Sequence, residues 1–180
     1  MDLGNMRLQE GIFLDQSALK VGVKGISECA GATFVSHYLD RSLNERGRSR
    51  VFVSRPDKYA VSDNDFEYED EDIIVGVIDP LPSRLMEGAE AIEELTNCRT
   101  PVVWLVNRDN PGVNRRAMRR YLCFDPEFSQ AEVPREIICR AEYNCVELDE
   151  LHKLEGIEKL AEHLKVFLRN QLFRITGDTI

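Results

Sequence analysis

No uninterrupted run of about 18 apolar residues occurs in this 180-residue chain, so no membrane-spanning helix is expected. The opening residues, MDLGNMRLQEG, contain no apolar core of the kind a secretory leader needs, and a cytoplasmic location is expected. Cysteine is sparse and scattered, at Cys29, Cys98, Cys123, Cys139 and Cys145, with no CxxC pair. That pattern reads as reduced thiols rather than a disulfide framework. The three histidines, His37, His152 and His163, lie far apart, and no zinc spacing forms among them; no metal site is expected. Basic residues are also short, 23 against 32 acidic ones, for a net charge of −9. A generic nucleic-acid binder needs a basic footprint for counterion release, and this composition disfavours one.

What is present is 43% hydrophobic and 31% charged, which suits a packed core rather than a disordered or low-complexity chain. Short β-branched runs alternate with helical patterns. Residues 21–23 form a strand that enters a glycine turn. Residues 34–46 read as a helix with Val35, Leu39 and Leu43 on one stripe, stopped by Gly47. Residues 51–53 form a second strand. The acidic stretch 55–72, ending EYEDED, reads as a solvated loop or a short edge element. Residues 73–78 (IIVGVI) are a third strand, followed by a helix carrying Leu85, Ala89, Ile92 and Leu95. Residues 102–106 (VVWLV) are a fourth strand. A helix over 113–122, a loop bracketed by Pro126 and Pro134, a short helix over 136–142 and a closing helix over 154–173 complete the pattern. The strands are continuously apolar, as expected when both sheet faces are covered. The expected fold is therefore α/β, a three-layer sandwich around a mostly parallel sheet, in a single domain spanning 1–180. Residues 1–19 are expected to form an N-terminal arm or edge strand.

In such sheets ligands bind at the carboxyl ends of the strands. Three segments reach that edge. The first runs from Gly25 through Ile26-Ser27-Glu28-Cys29-Ala30 to Gly31-Ala32-Thr33, a strand-to-helix turn. It is either a place where backbone N–H groups cradle phosphate or a tight connection that binds nothing. A phosphate loop of the form GxxxxGK[ST] would place a lysine at Ala32 and its first glycine at Ile26. The second segment is Asp79 with Pro80, directly after the third strand. There the carboxylate orients magnesium or caps the following helix. The third is Asn107, ending the fourth strand, which faces an adenine edge or satisfies its own turn. Beyond it, Arg115, Arg116, Arg119 and Arg120 crowd one helix and form either a solvated face or a partner-binding patch.

Taken in order, Val21-Gly22-Val23-Lys24-Gly25 with Gly31-Ala32-Thr33, the passage around Gly47, the strand ending in Asp79-Pro80-Leu81-Pro82-Ser83, Val102 to Asn107-Arg108, and the late Gly156-Ile157-Glu158-Lys159-Leu160-Ala161 resemble the MinD/ParA family of deviant P-loop ATPases. Within it they resemble the CpaE/TadZ-like branch. The resemblance implies a P-loop NTPase-like fold, trimmed. It also implies that the family's two loop lysines fall on Ser27 and Ala32, leaving a degenerate Walker A region with no cation of its own.

The resulting expectation is a non-catalytic interaction, scaffold or positioning protein with no catalytic residues and no cofactor. Its partner is expected to be a protein or a second copy of the chain, and no specific nucleic acid. Gly25, Gly31, Ala32, Thr33, Asp79 and Asn107 would then be vestigial nucleotide contacts. An alternative is a switch that binds ATP and magnesium with weak or no hydrolysis. A further alternative is membrane attachment through the closing helix, where Phe167, Leu168, Leu172 and Phe173 lie among Lys165, Arg169 and Arg174.

Overall fold

A computed structural model describes residues 19–44, 59–63, 66–109, 115–131 and 154–177. The arm expected before residue 19, the strand expected at 51–53 and the helix expected at 136–142 lie outside the described residues. The described elements, in chain order, are β1 (Leu19–Gly25), α1 (Ala32–Asn44), β2 (Tyr59–Asp63), β3 (Ile73–Ile78), α2 (Pro82–Glu87), α3 (Ala89–Asn97), β4 (Val102–Asp109), α4 (Arg115–Tyr121), β5 (Phe128–Ala131) and α5 (Glu155–Gly177).

The five strands form one sheet in the order β2-β1-β3-β4-β5, and every pairing is parallel. Alternation along each strand divides the core in two. Val21 and Val23 of β1, Ile73, Val75 and Val77 of β3, and Val103 and Leu105 of β4 face one side. There α1 supplies Val35, Tyr38, Leu39 and Leu43, and α5 supplies Ile157, Leu160, Ala161 and Leu164. On the other side Ile74, Ile78, Trp104 and Val106 meet Leu85 of α2, Ile92 and Leu95 of α3, and Met118 of α4. The expected three-layer α/β sandwich is what forms, with an all-parallel sheet.

Two expectations are corrected, and one of the two readings of the acidic stretch is borne out. The acidic stretch is the short edge element rather than a solvated loop. It holds the edge strand β2, paired with β1 from Leu19↔Tyr59 to Val23↔Asp63. Its tail is also docked: Phe66 and Tyr68 pack against the second core cluster, and the Thr100 hydroxyl donates to the Tyr68 carbonyl at 2.6 Å. Apolar rings at 66 and 68 outweigh the repulsion of the carboxylates, of which Glu67, Glu69, Asp70 and Asp72 stay exposed while Glu71 is half-buried. The helix expected around residues 85–95 is split into α2 and α3 at Gly88. A Cβ there would stand 2.7 Å from the Ile26 carbonyl, so the chain needs a glycine where the β1–α1 connection passes. Finally, β5 lies in the stretch expected to be a loop after Pro126. Only four residues long, it mixes polar and apolar positions and shows no strand pattern of its own.

Buried Gln130 of β5 sets the start of α5. Its Oε1 accepts from the backbone N–H of Gly156 at 3.0 Å and of Ile157 at 3.3 Å. It thus meets donors that the first turn of a helix cannot pair internally. Gln130→Ala is expected to lower unfolding free energy by about 1–3 kcal/mol, the cost of leaving buried donors unmet. Gln130→Glu keeps the acceptor and adds charge that the helix N-terminus favours, so it should lose less. Urea unfolding of the two variants checks the order.

Candidate functional site

At the carboxyl edge of the sheet, the connection from β1 to α1 borders a cleft of about 820 Å³ lined by residues 25–33 and Glu87. The connection is a turn with two left-handed residues, Cys29 at φ 58° and Gly31 at φ 90°. Its apolar members are anchored. Ile26, 3% exposed, belongs to the α2–α3–α4 side of the core, while Ala30 and Ala32 belong to the α1–α5 side. Two of its amides are used internally: Ile26 N–H donates to the Val77 carbonyl at 3.1 Å, and Ala30 N–H to the Ser27 carbonyl at 3.3 Å. Gly31 begins α1, its carbonyl accepting from Val35 N–H at 3.0 Å.

The sheet brings the sequence-predicted residues Gly25, Gly31, Ala32, Thr33, Asp79 and Asn107 to this one edge. Their contacts within the protein are as follows. Asn107, buried in β4, donates from Nδ2 to the Ala30 carbonyl at 3.0 Å, so it braces the turn. A Cβ on Gly31 would collide with that same amide. Asp79, 2% exposed, closes the turn that precedes α2: its Oδ1 accepts from Leu81 N–H at 3.1 Å. Its Oδ2 pairs with Arg108 Nη1 at 3.3 Å. Thr33 is exposed at the first turn of α1, and its carbonyl accepts from the Ser36 hydroxyl at 3.0 Å.

Arg108 is the residue whose role the sequence concealed. It adopts a left-handed backbone, φ 57°, and its Nη1 also donates to the Cys29 carbonyl at 3.1 Å. The sole signal in the sequence was its place beside Asn107 at a strand end. Arg84 pairs with Glu87 at 2.7 Å, and that hydrogen bond, followed by the charge of Glu87, raises the guanidinium above its ordinary value. Asp79 and Glu87 are thus each matched by one arginine, while Glu28 stands exposed on the turn. The hydroxyl of Ser27 is buried with no hydrogen-bond partner among the described residues.

The arginine helix lies apart from this cleft. Arg119 and Arg120 are exposed on α4, which packs beside α2, and the side chains of Arg115 and Arg116 lie outside the described residues. The described apolar face of α5 is occupied by the core, including partly buried Phe167, and among the described residues no helix is long and apolar enough to cross a membrane. No group of three or more potential metal ligands occurs among the described residues.

No family model matches the sequence. No curated protein matches it either. Among solved structures, a ParA family ATPase from Chlorobium tepidum matches with a TM-score of 0.64 at 9% identity, over 83% of this chain and 99% of that one. A putative plasmid partition protein from Borrelia burgdorferi, bound to AMPPNP, matches with a TM-score of 0.49 at 8% identity, over 85% and 99%. At such identity the first likeness establishes the fold: this chain has the α/β architecture of ParA-type P-loop proteins.

Two outcomes follow from the geometry. Arg108→Ala removes a pairing from the buried Asp79 carboxylate and from the Cys29 carbonyl, and should cost about 1–2 kcal/mol. Arg108→Gly loses the same bonds but relieves left-handed strain of about 1 kcal/mol, so it should be the more stable variant in urea unfolding. Thiol labelling mapped by mass spectrometry should find exposed Cys29 and Cys123 reacting before Cys98. Burial pushes the Cys98 thiol up, and its Sγ lies 3.1 Å from the Leu95 carbonyl and 3.2 Å from that of Thr100.

Proposed function

We propose that this chain is a degenerate ParA/MinD-like protein of the CpaE/TadZ-like branch, a non-catalytic interaction or positioning factor that has lost nucleotide hydrolysis. The observation that carries the reading is the build of the β1–α1 turn. Residues 25–33 contain no lysine or arginine, and Ile26 and Ala32 are seated in the core. Arg108, which reaches the turn from β4, already holds a carbonyl and a carboxylate. A triphosphate here would meet the carboxylate of Glu28 on the turn and that of Glu87 across the cleft. At about 4 Å each such repulsion amounts to about 1–4 kcal/mol, depending on solvent exposure. The residues present therefore do not fit ATP and magnesium.

In this reading the exposed Arg119 and Arg120, with Arg115 and Arg116 on the same helix, serve a protein partner or a second copy of the chain. The buried face of α5 supports a structural rather than a membrane-attaching role for that helix.

A second reading, a nucleotide-binding switch without efficient hydrolysis, draws support from the unpartnered Ser27 hydroxyl and the size of the cleft. Calorimetry with ATP and magnesium separates the two, run beside a phosphate-release assay. The proposal expects no saturable heat at millimolar ATP and no turnover above background. Micromolar binding that Asp79→Ala abolishes would establish the switch instead, and measurable turnover would overturn both.

A further inference from the structure

Three large apolar side chains stand exposed on the helices of the α2–α3–α4 layer: Leu81 at 53%, Met86 at 64% and Tyr121 at 41%. Topology and helical register bring two of them to one groove. The strand order places β1 on one side of β3 and β4 on the other, so α2, which follows β3, has the β1–α1 turn on one flank and α4 on the other. On α2, Leu85 is buried, and Glu87, paired with Arg84, lines the cleft beside that turn. At about 100° of rotation per residue, Met86 then lies on the opposite flank, toward α4. On α4, Met118 and Leu122 are buried and Arg119 borders the space toward β5, so Tyr121 lies on the flank toward α2. Arg120, opposite the buried pair, is exposed on the crest of the helix.

Leu81 is the N-cap residue of α2, at φ −65° and ψ 133°, and makes no capping hydrogen bond. Serine, asparagine or aspartate in that backbone conformation accepts from the first amides of a helix and stabilises it. An exposed leucine where helix chemistry favours a short polar residue breaks a local rule, and such breaks mark positions that serve contact outside the chain. The flanks of this apolar strip carry opposite charge. On the α4 side stand Arg119 and Arg120. On the other side, Gly88 sets the α2–α3 junction against the Ile26 carbonyl of the β1–α1 turn, and α3 then exposes Glu90, Glu93 and Glu94 opposite its buried Ile92 and Leu95. A two-fold axis through the strip would lay apolar surface on apolar surface and each α4 on the partner's α3. A partner that offers both signs about an apolar centre in that arrangement is a second copy of the chain. We infer that the α2–α4 groove and its charged flanks form an isologous dimer interface that needs no nucleotide. The inference rests on the interaction-protein reading and names its partner. The two fail separately: nucleotide binding in the cleft would remove that reading and leave a dimer through this face standing, while a monomeric chain would remove the inference alone.

The test is sedimentation equilibrium of the full chain without nucleotide, from about 1 to 100 µM. Twice the chain mass is expected at the upper end, with a dissociation constant of about micromolar order. Met86→Glu puts a charge into the apolar centre at an already exposed position and should weaken association at least about tenfold. Leu81→Ser should weaken association too, yet raise the melting temperature of the monomer by about 2–4 °C, because it supplies the missing cap. Arg120→Glu should weaken association about tenfold, and adding Glu90→Lys with Glu93→Lys should restore most of it, since the two flanks are then reversed together. Glu28→Lys, at the cleft, should change it by less than about twofold. The inference is overturned if the chain is monomeric throughout, if Met86→Glu and Leu81→Ser associate like the wild type, or if the fully reversed variant does no better than Arg120→Glu alone. It is overturned too if the dimer forms only with ATP and magnesium or is broken by Glu28→Lys, since either would place the interface at the cleft. Should Met86→Glu fail to fold, Leu81→Ser decides, as its two readouts move in opposite directions.

Discussion

Two neighbouring residues of β4 hold the turn between β1 and α1, and the layout of the carboxyl edge depends on their doing so together. Asn107 donates to Ala30, and Arg108 donates to Cys29 and to Asp79. Successive side chains of a regular strand point to opposite faces, so both could not reach one turn from an unbroken strand. The left-handed backbone at Arg108 breaks the alternation. The same irregularity appears as a register shift against β5 between Val106 and Asp109. Bulges of this kind re-aim side chains at strand ends. Here one backbone departure accounts for the braced turn on one side and for the burial of Asp109 on the other.

The turn itself is wedged between both halves of the core, through Ile26 on one face and Ala30 and Ala32 on the other. A turn built to hold an anion leaves successive N–H groups free to point at the ligand. This one uses the amides of Ile26 and Ala30 on protein carbonyls. Gly88 extends the same logic to the neighbouring helices, since its missing side chain lets the Ile26 carbonyl approach the break between α2 and α3. The turn is thus tied to the rest of the protein through its apolar members, the Ile26 amide and the braces from β4, while the Ser27 hydroxyl is buried without a partner among the described residues.

Much of the architecture was legible because burial on both sheet faces demands continuous apolar runs, and IIVGVI and VVWLV are such runs. β5 was illegible for the converse reason. Its buried position is a glutamine, retained for the helix start it caps, and no hydropathy pattern reveals that. The acidic stretch was legible only as one of two alternatives, a loop or an edge element, because a strand at the sheet edge needs no apolar run on both faces and its carboxylates fit either. At the site, the location was readable from topology and the roles were not. Asp79 and Asn107 reach the right edge, but their partners within the protein, Leu81 and Arg108 for one and Ala30 for the other, are set by distances that the sequence does not carry. Arg108 could not have been found, because its part depends on a φ angle that its sequence neighbours do not announce.

The persistence of a cleft in such a chain follows from topology rather than from use. In a parallel sheet every strand ends at the same edge, and each connection leaves toward one face or the other, so a crevice opens wherever adjacent strands send their connections apart. β1 turns into α1 on one face, while β3 turns into α2 on the opposite face, and the cleft lies at that divergence. Its existence would survive the loss of every ligand contact. Structural likeness at 9% identity shares this property, since it reports how the chain is wound and not which side chains line the result. Function must then be read from charge and hydrogen bonding. By that measure the named charges of the cleft are matched apart from Glu28.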